Sequence, residues 1–159
     1  MTNSINVLFV CSGNTCRSPM AEAAFHHLVQ ESGLESQITV RSAGAYAREG
    51  EQMTRSTRRV LAENGIDWPG QPARQLTASV ASEADYILVM DRTHLAAVRR
   101  YVNGNGTGPT VRLLLDYAPQ LGVQEVDDPF GTDAYDDTYA LILPGVEGLL
   151  AHLREVHTL

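Results

Sequence analysis

The chain has 159 residues and a formal net charge of −7, which suits one domain spanning residues 1–159 with a sizeable core. The acidic balance argues against a nucleic-acid partner or an anionic membrane surface, and no apolar run approaches the ~20 residues that membrane insertion needs. The first residues lack the basic and hydrophobic segments of a signal peptide.

In chain order, residues 5–10 are a short apolar run without alternation, the pattern of a strand buried on both faces. The segment Cys11-Ser12-Gly13-Asn14-Thr15-Cys16-Arg17 leads into a helix over 18–32 that stops near Gly33. A second strand over 38–42 runs into the loop Ala43-Gly44-Ala45-Tyr46, and a helix over 53–64 ends at Gly65. A third strand covers 84–90, followed by a short helix over 92–101. The glycine-rich stretch 103–109 reads as a flexible surface loop. A fourth strand covers 111–115, and a last helix runs over 134–156, which Pro144-Gly145 should kink or split. Alternating strands and helices imply an α/β fold in three layers, a parallel twisted sheet with helices on both faces. Ligands bind such sheets beyond the carboxyl ends of the strands, and Cys11 sits at such an end.

The loop after the first strand carries the chemistry. Only a thiolate is a strong nucleophile, and a helix N-terminus favours a thiolate while its free N–H groups bind phosphate oxygens. Gly13 lets the loop adopt positive φ, and Asn14 tolerates left-handed geometry. Successive N–H groups from Ser12 to Ser18 can then converge into an anion-binding nest. Arg17 offers a planar fork matched to two phosphate oxygens. Ser18 can cap the helix or donate to the Cys11 sulfur, and Pro19 stands where a first-turn proline loses no hydrogen bond. Together these residues suit attack by Cys11 on the phosphorus of a bound phosphomonoester.

Such attack needs a proton donor for the leaving group. Asp127-Asp128-Pro129-Phe130-Gly131 supplies the best candidate, with Asp128 held by its proline and Phe130 expected to exclude water. A carboxyl partly buried beside an anion holds its proton into the range useful for acid catalysis. Asp127 is the rival. Asp133, Asp136 and Asp137 start the last helix, where carboxylates suit the helix dipole. The five histidines show no ligand spacing, so no metal site is expected. Two cysteines, one required as a thiolate, point to a reducing cytoplasm.

Cys11…Arg17-Ser18-Pro19-Met20-Ala21-Glu22, Arg41-Ser42-Ala43-Gly44, Ala73-Arg74-Gln75, residues 85–91 and Asp128-Pro129-Phe130-Gly131 together resemble the low-molecular-weight protein-tyrosine phosphatases. The resemblance implies a four-stranded parallel sheet, a cysteinyl-phosphate intermediate and no metal or organic cofactor. It makes Cys11 the nucleophile, Arg17 the transition-state ligand and Asp128 the general acid. Ser12, Gly13, Asn14, Thr15, Cys16 and Ser18 form the phosphate-binding loop, which would take phosphate or other oxyanions. Asn14, Ser18 and Ser42 order it through hydrogen bonds. Cys16 matches a second loop cysteine that can pair with the nucleophile on oxidation, or it is a small packed thiol.

This chain departs from many relatives at three places. Gln71 replaces a histidine, which implies a differently tuned loop, and Phe130-Gly131 replaces a tyrosine pair. Thr15 stands where many tyrosine phosphatases have an aliphatic residue. The similar bacterial protein-arginine phosphatases have threonine there, so phosphoarginine is the alternative to phosphotyrosine as the phosphorylated protein substrate. Tyr46 is the expected aromatic wall of the pocket for either. A thiol-relay arsenate reductase would need later cysteines, and none follows Cys16. An inert phosphoprotein-binding module would lack one of Cys11, Arg17 and Asp128.

Overall fold

The computed structural model describes residues 4–102 and 106–159. Strands β1 (Ile5–Cys11), β2 (Ile38–Gly44), β3 (Tyr86–Val89) and β4 (Thr110–Leu113) form one parallel sheet in the order β2-β1-β3-β4. Of the loop expected over 103–109, residues 103–105 lie outside the described residues. Strand order changes direction between β1 and β3, which opens the crevice beyond their carboxyl ends where ligands bind in such sheets.

Both faces of β1 are covered, which explains its lack of alternation. Val7, Phe9 and Cys11 point into a core built with α1 (Arg17–Glu31), α2 (Arg55–Glu63) and α5 (Tyr135–Val156). Phe9 meets Phe25 of α1 edge to face, with ring centroids 5.6 Å apart. Leu8 and Val10 face the other way, against Ile87, Val89 and residues of α3 (Ala78–Ser82) and α4 (Arg92–Arg99). The first half of α1 is buried on every side from Arg17 to Phe25, so a charged residue within it needs a partner.

Three local expectations change. Helix α3 is one short turn capped by Thr77 and carries no periodic signal long enough to read. Strand β4 stops at Leu113, because Leu114–Tyr117 turn into a 3-10 helix. Helix α5 runs unbroken through Pro144. Its glycines explain why: a Cβ on Gly148 would lie 1.8 Å from the Tyr117 carbonyl oxygen, so the helix backbone rests directly on the 3-10 turn. Tertiary packing holds together what the local proline rule would divide.

Candidate active site

Cys11 ends β1 and Arg17 opens α1, so the loop between them runs from the carboxyl end of the strand to the helix N-terminus, with Cys16 at the N-cap. The left-handed residue of the loop is Asn14, at φ 57°. The expectation that Gly13 supplies the positive φ is therefore corrected; Gly13 instead lines the cleft. Gly44, at the end of β2, is fixed by close approach. A Cβ there would fall 2.5 Å from the Ser12 carbonyl oxygen and 3.0 Å from the Asn14 nitrogen.

A relay of small polar side chains leads to the sulfur. Cys11 Sγ lies 2.9 Å from Ser18 Oγ. Asn14 Nδ2 donates to Ser18 Oγ at 2.8 Å and to Ser42 Oγ at 3.0 Å. The Arg74 N–H donates to Asn14 Oδ1 at 3.0 Å, which sets the orientation of the amide. With Ser18 accepting from Asn14, its own proton has two acceptors in reach, the sulfur at 2.9 Å and the Ala43 carbonyl at 3.5 Å, and the sulfur is the nearer. Ser42 in turn donates to Glu22 Oε1 at 2.6 Å. Burial pushes the Glu22 carboxyl up to about 7, against the opposing pull of the Ser42 hydrogen bond, Arg74 and Arg41. Gln71 lines the same cavity as Glu22, Ser42 and Arg74, and the relay ends on Glu22.

The arginine is held differently. Arg17 is 2 % exposed, and its Nη1 donates to Asp91 Oδ2 at 3.0 Å and to the Val126 carbonyl at 2.8 Å. Its Nη2 lies 3.4 Å from Ser12 Oγ and 3.8 Å from Asp128 Oδ2. Its Nε is buried with no hydrogen-bond partner among the described residues. One edge of the guanidinium is thus anchored, and Nε and Nη2 remain to bind two oxygens of an anion. Asp91 caps α4; burial opposes its ionisation, but hydrogen bonds from Thr93 and the nearby Arg17 hold its carboxyl below the usual range.

Cys11, Gly13, Thr15, Cys16, Arg17, Glu51, Asp128 and Phe130 line a cleft of about 210 Å³. The nucleophile, arginine and acid candidates therefore meet at one place. Asp128 and Phe130 stand at the rim, with the Asp128 side chain 51 % exposed and Phe130 66 % exposed. The expectation that Phe130 shields the carboxyl is corrected: the Phe130 N–H donates to Asp128 Oδ1 at 3.1 Å, and that turn leaves the ring in solvent. Asp127, the rival acid, lines a different cavity with Arg92 and Glu125. Tyr46 is 64 % exposed and outside the cleft lining; its backbone N–H donates to the Ser12 carbonyl at 2.9 Å. Cys16 packs 3.3 Å from the Tyr135 hydroxyl, whose pKa is pushed up to about 12 by burial and by that contact.

Four residues here were given no role by the sequence reading, although Glu22 and Asp91 fell within the segments quoted for the resemblance. Asp91 and His94 reach the loop from 74 and 82 positions away. Glu22 carried a faint signal, a carboxylate inside an apolar helix start, and Glu51 carried none.

Comparison with known proteins agrees with this geometry. Residues 6–158 match the family model of the low molecular weight phosphotyrosine protein phosphatases. The chain is 37% identical over 152 residues to the low molecular weight protein-tyrosine-phosphatase YfkJ of Bacillus subtilis, covering 95% of this chain and 97% of that one. It is 41% identical over 143 residues to the Schizosaccharomyces pombe phosphatase of the same name class, covering 87% and 90%. The crystal structure of YfkJ superposes with a TM-score of 0.90 at 36% identity, over 96% of each chain. The YwlE arginine phosphatase of Bacillus subtilis, solved as a cysteine-to-serine mutant with a phosphorylated active-site serine, superposes at 0.81 and 31% identity, over 94% and 96%. The chain therefore belongs to the low molecular weight phosphotyrosine protein phosphatases.

Proposed function

We propose that this phosphatase hydrolyses phosphotyrosine in proteins through a cysteinyl-phosphate intermediate. The observation that carries the reading is the convergence of Cys11, Arg17 and Asp128 on one cleft. The Cys11 thiolate attacks phosphorus, and the bond to the leaving oxygen breaks. Protonated Asp128 gives that oxygen its proton. The developing charge on the equatorial oxygens is met by the loop N–H groups and by Arg17 Nε and Nη2. Asp128 then takes a proton from water, whose oxygen displaces the sulfur and releases phosphate. Ser18 supports the sulfur as it leaves, through the same hydroxyl that faces it at 2.9 Å. A substrate ring seated over Cys11 would lie against Phe130 and cover Asp128, shielding the carboxyl in the complex.

On this reading residues 1–159 form one catalytic domain working in the cytoplasm without metal or organic cofactor. Among the described residues no helix is long and apolar enough to cross a membrane. A folded, reduced Cys11→Ser variant is expected to lose all turnover of aryl phosphate; retained turnover would refute the nucleophile.

A second reading has its own observation. Thr15 and Glu51 both line the cleft, and both can accept hydrogen bonds from a phosphorylated guanidinium. Matched phosphotyrosine and phosphoarginine peptides compared by kcat/KM decide between them. A phosphotyrosine preference supports the first reading, and a phosphoarginine preference makes Thr15 the specificity residue.

A further inference from the structure

Ser12 occupies an unusual position within the loop. Its Oγ lies 2.9 Å from His94 Nε2 and 3.4 Å from Arg17 Nη2. His94 is fully buried at the start of α4. The Asp91 backbone N–H donates to His94 Nδ1 at 3.2 Å, so that nitrogen carries the lone pair. The ring proton therefore sits on Nε2, facing Ser12. Burial keeps the ring neutral by lowering its pKa to about 4, which outweighs the attraction of Asp91.

A hydroxyl has two acceptor lone pairs and one proton. At Ser12 both lone pairs face N–H donors, one from the imidazole and one from a guanidinium that can only donate. The remaining proton must find an acceptor elsewhere. Ser12 is not part of the cleft lining itself, but its Oγ stands beside Arg17 Nη2, one of the two nitrogens left to bind an anion, so a phosphoryl oxygen held on that nitrogen would come within its reach. We propose that the Ser12 hydroxyl is a side-chain donor to the bound phosphoryl group, and that His94 is the positioning residue that commits it to donate. Without His94 the hydroxyl would be free to rotate and could present a lone pair to the anion. The same imidazole ties the phosphate loop to Asp91, so the serine and the anchored arginine keep a common register. This proposal rests on the phosphatase reading and adds a donor to it.

The test is a double-mutant cycle with two readouts, the inhibition constant of vanadate and kcat/KM on an aryl phosphate. Ser12→Ala and His94→Leu are each expected to weaken vanadate about tenfold, the effect of one hydrogen bond to a charged oxygen. The double variant should be no weaker than either single one. His94→Gln, which keeps an N–H near the Nε2 position, should recover most of the affinity. Unchanged vanadate affinity in Ser12→Ala overturns the proposal, and so do additive losses in the double variant, since a purely structural histidine would add its cost independently. If His94→Leu does not fold, His94→Asn, whose amide is one methylene too short to reach Ser12, takes its place in the cycle. Wild-type protein that neither turns over aryl phosphate nor binds vanadate would defeat the enzyme reading itself. Turnover indifferent to Ser12→Ala defeats only the present proposal.

Discussion

The nucleophile and the arginine belong to one short loop, yet they are held by opposite kinds of partner. Around Cys11 the contacts are neutral and small: the Ser18 hydroxyl, the Asn14 amide, then Ser42 and a buried carboxyl. Around Arg17 they are a carboxylate and a carbonyl, Asp91 and Val126. The chemistry of each group explains the difference. A thiolate loses intrinsic nucleophilicity as it is stabilised, so a cation set directly on it would blunt the attack. Weak neutral donors order the sulfur without that cost. An arginine keeps its charge whatever holds it, so a strong anionic anchor fixes its direction and leaves its work undiminished.

The largest test of this contrast replaces the anchored group with one of equal charge. Arg17→Lys keeps the cation but loses the fork, and kcat on an aryl phosphate is expected to fall roughly 10²–10³-fold. Ser18→Ala, on the neutral side, should cost about tenfold, the effect of one hydrogen bond to a charged group. Equal losses in steady-state assays would show that the two sides are not distinct.

Next in size is a difference in pH response, because each side buries one titratable group. Glu22 has a folded pKa of about 7 against an ordinary 4.5. Its protonated form is favoured by folding, so its contribution to stability is complete below 4.5 and lost as pH rises through 7. His94 is displaced the other way, to about 4 from 6.5, so its contribution is complete above 6.5 and lost as pH falls through 4. Glu22→Gln keeps an acceptor for Ser42 and removes the cost of ionising a buried carboxyl. Relative to wild type it should gain stability from pH 4.5 upward, reaching roughly 3 kcal/mol above pH 7. Tm measured from pH 4 to 8.5 checks this, and a constant offset across that range would remove Glu22 from the account.

How much was legible in the sequence follows the same division. Cys11, Arg17 and Ser18 lie within one strand–loop–helix unit, where glycine, proline and helix-start rules act locally. The parallel sheet was legible for a similar reason, since β1 and β3 are apolar without alternation. The anchors of Arg17 were not, because Asp91 follows β3 and Val126 lies in the loop before α5, and only the tertiary fold brings them together. Asp128 lay between these cases: its proline marked a rigid turn, but its choice over Asp127 depends on which carboxyl faces the cleft. Glu22 was not given a role because only burial of the α1 start shows that its carboxyl is the end of the relay. Phe130 misled because solvent exposure of a turn residue depends on the side of the turn it occupies.

The smallest expected effect separates two contributions of one residue on the neutral side. Asn14 has φ 57°, donates to both Ser18 and Ser42, and receives the Arg74 N–H. Asn14→Ala loses the hydrogen bonds and also sets an alanine in the left-handed region. Asn14→Gly loses the same bonds without backbone strain. The two variants should therefore share one loss in kcat, while the glycine variant is more stable by about 1 kcal/mol. Equal Tm values would mean that the loop relaxes out of the left-handed turn when the side chain goes. A glycine variant with wild-type kcat would mean that backbone shape alone orders the sulfur. The expected outcome, unequal stability with equal kcat, makes the backbone turn a matter of folding and the amide a matter of catalysis. It would also explain why an asparagine, which tolerates that φ and carries both donor and acceptor, suits the position better than glycine.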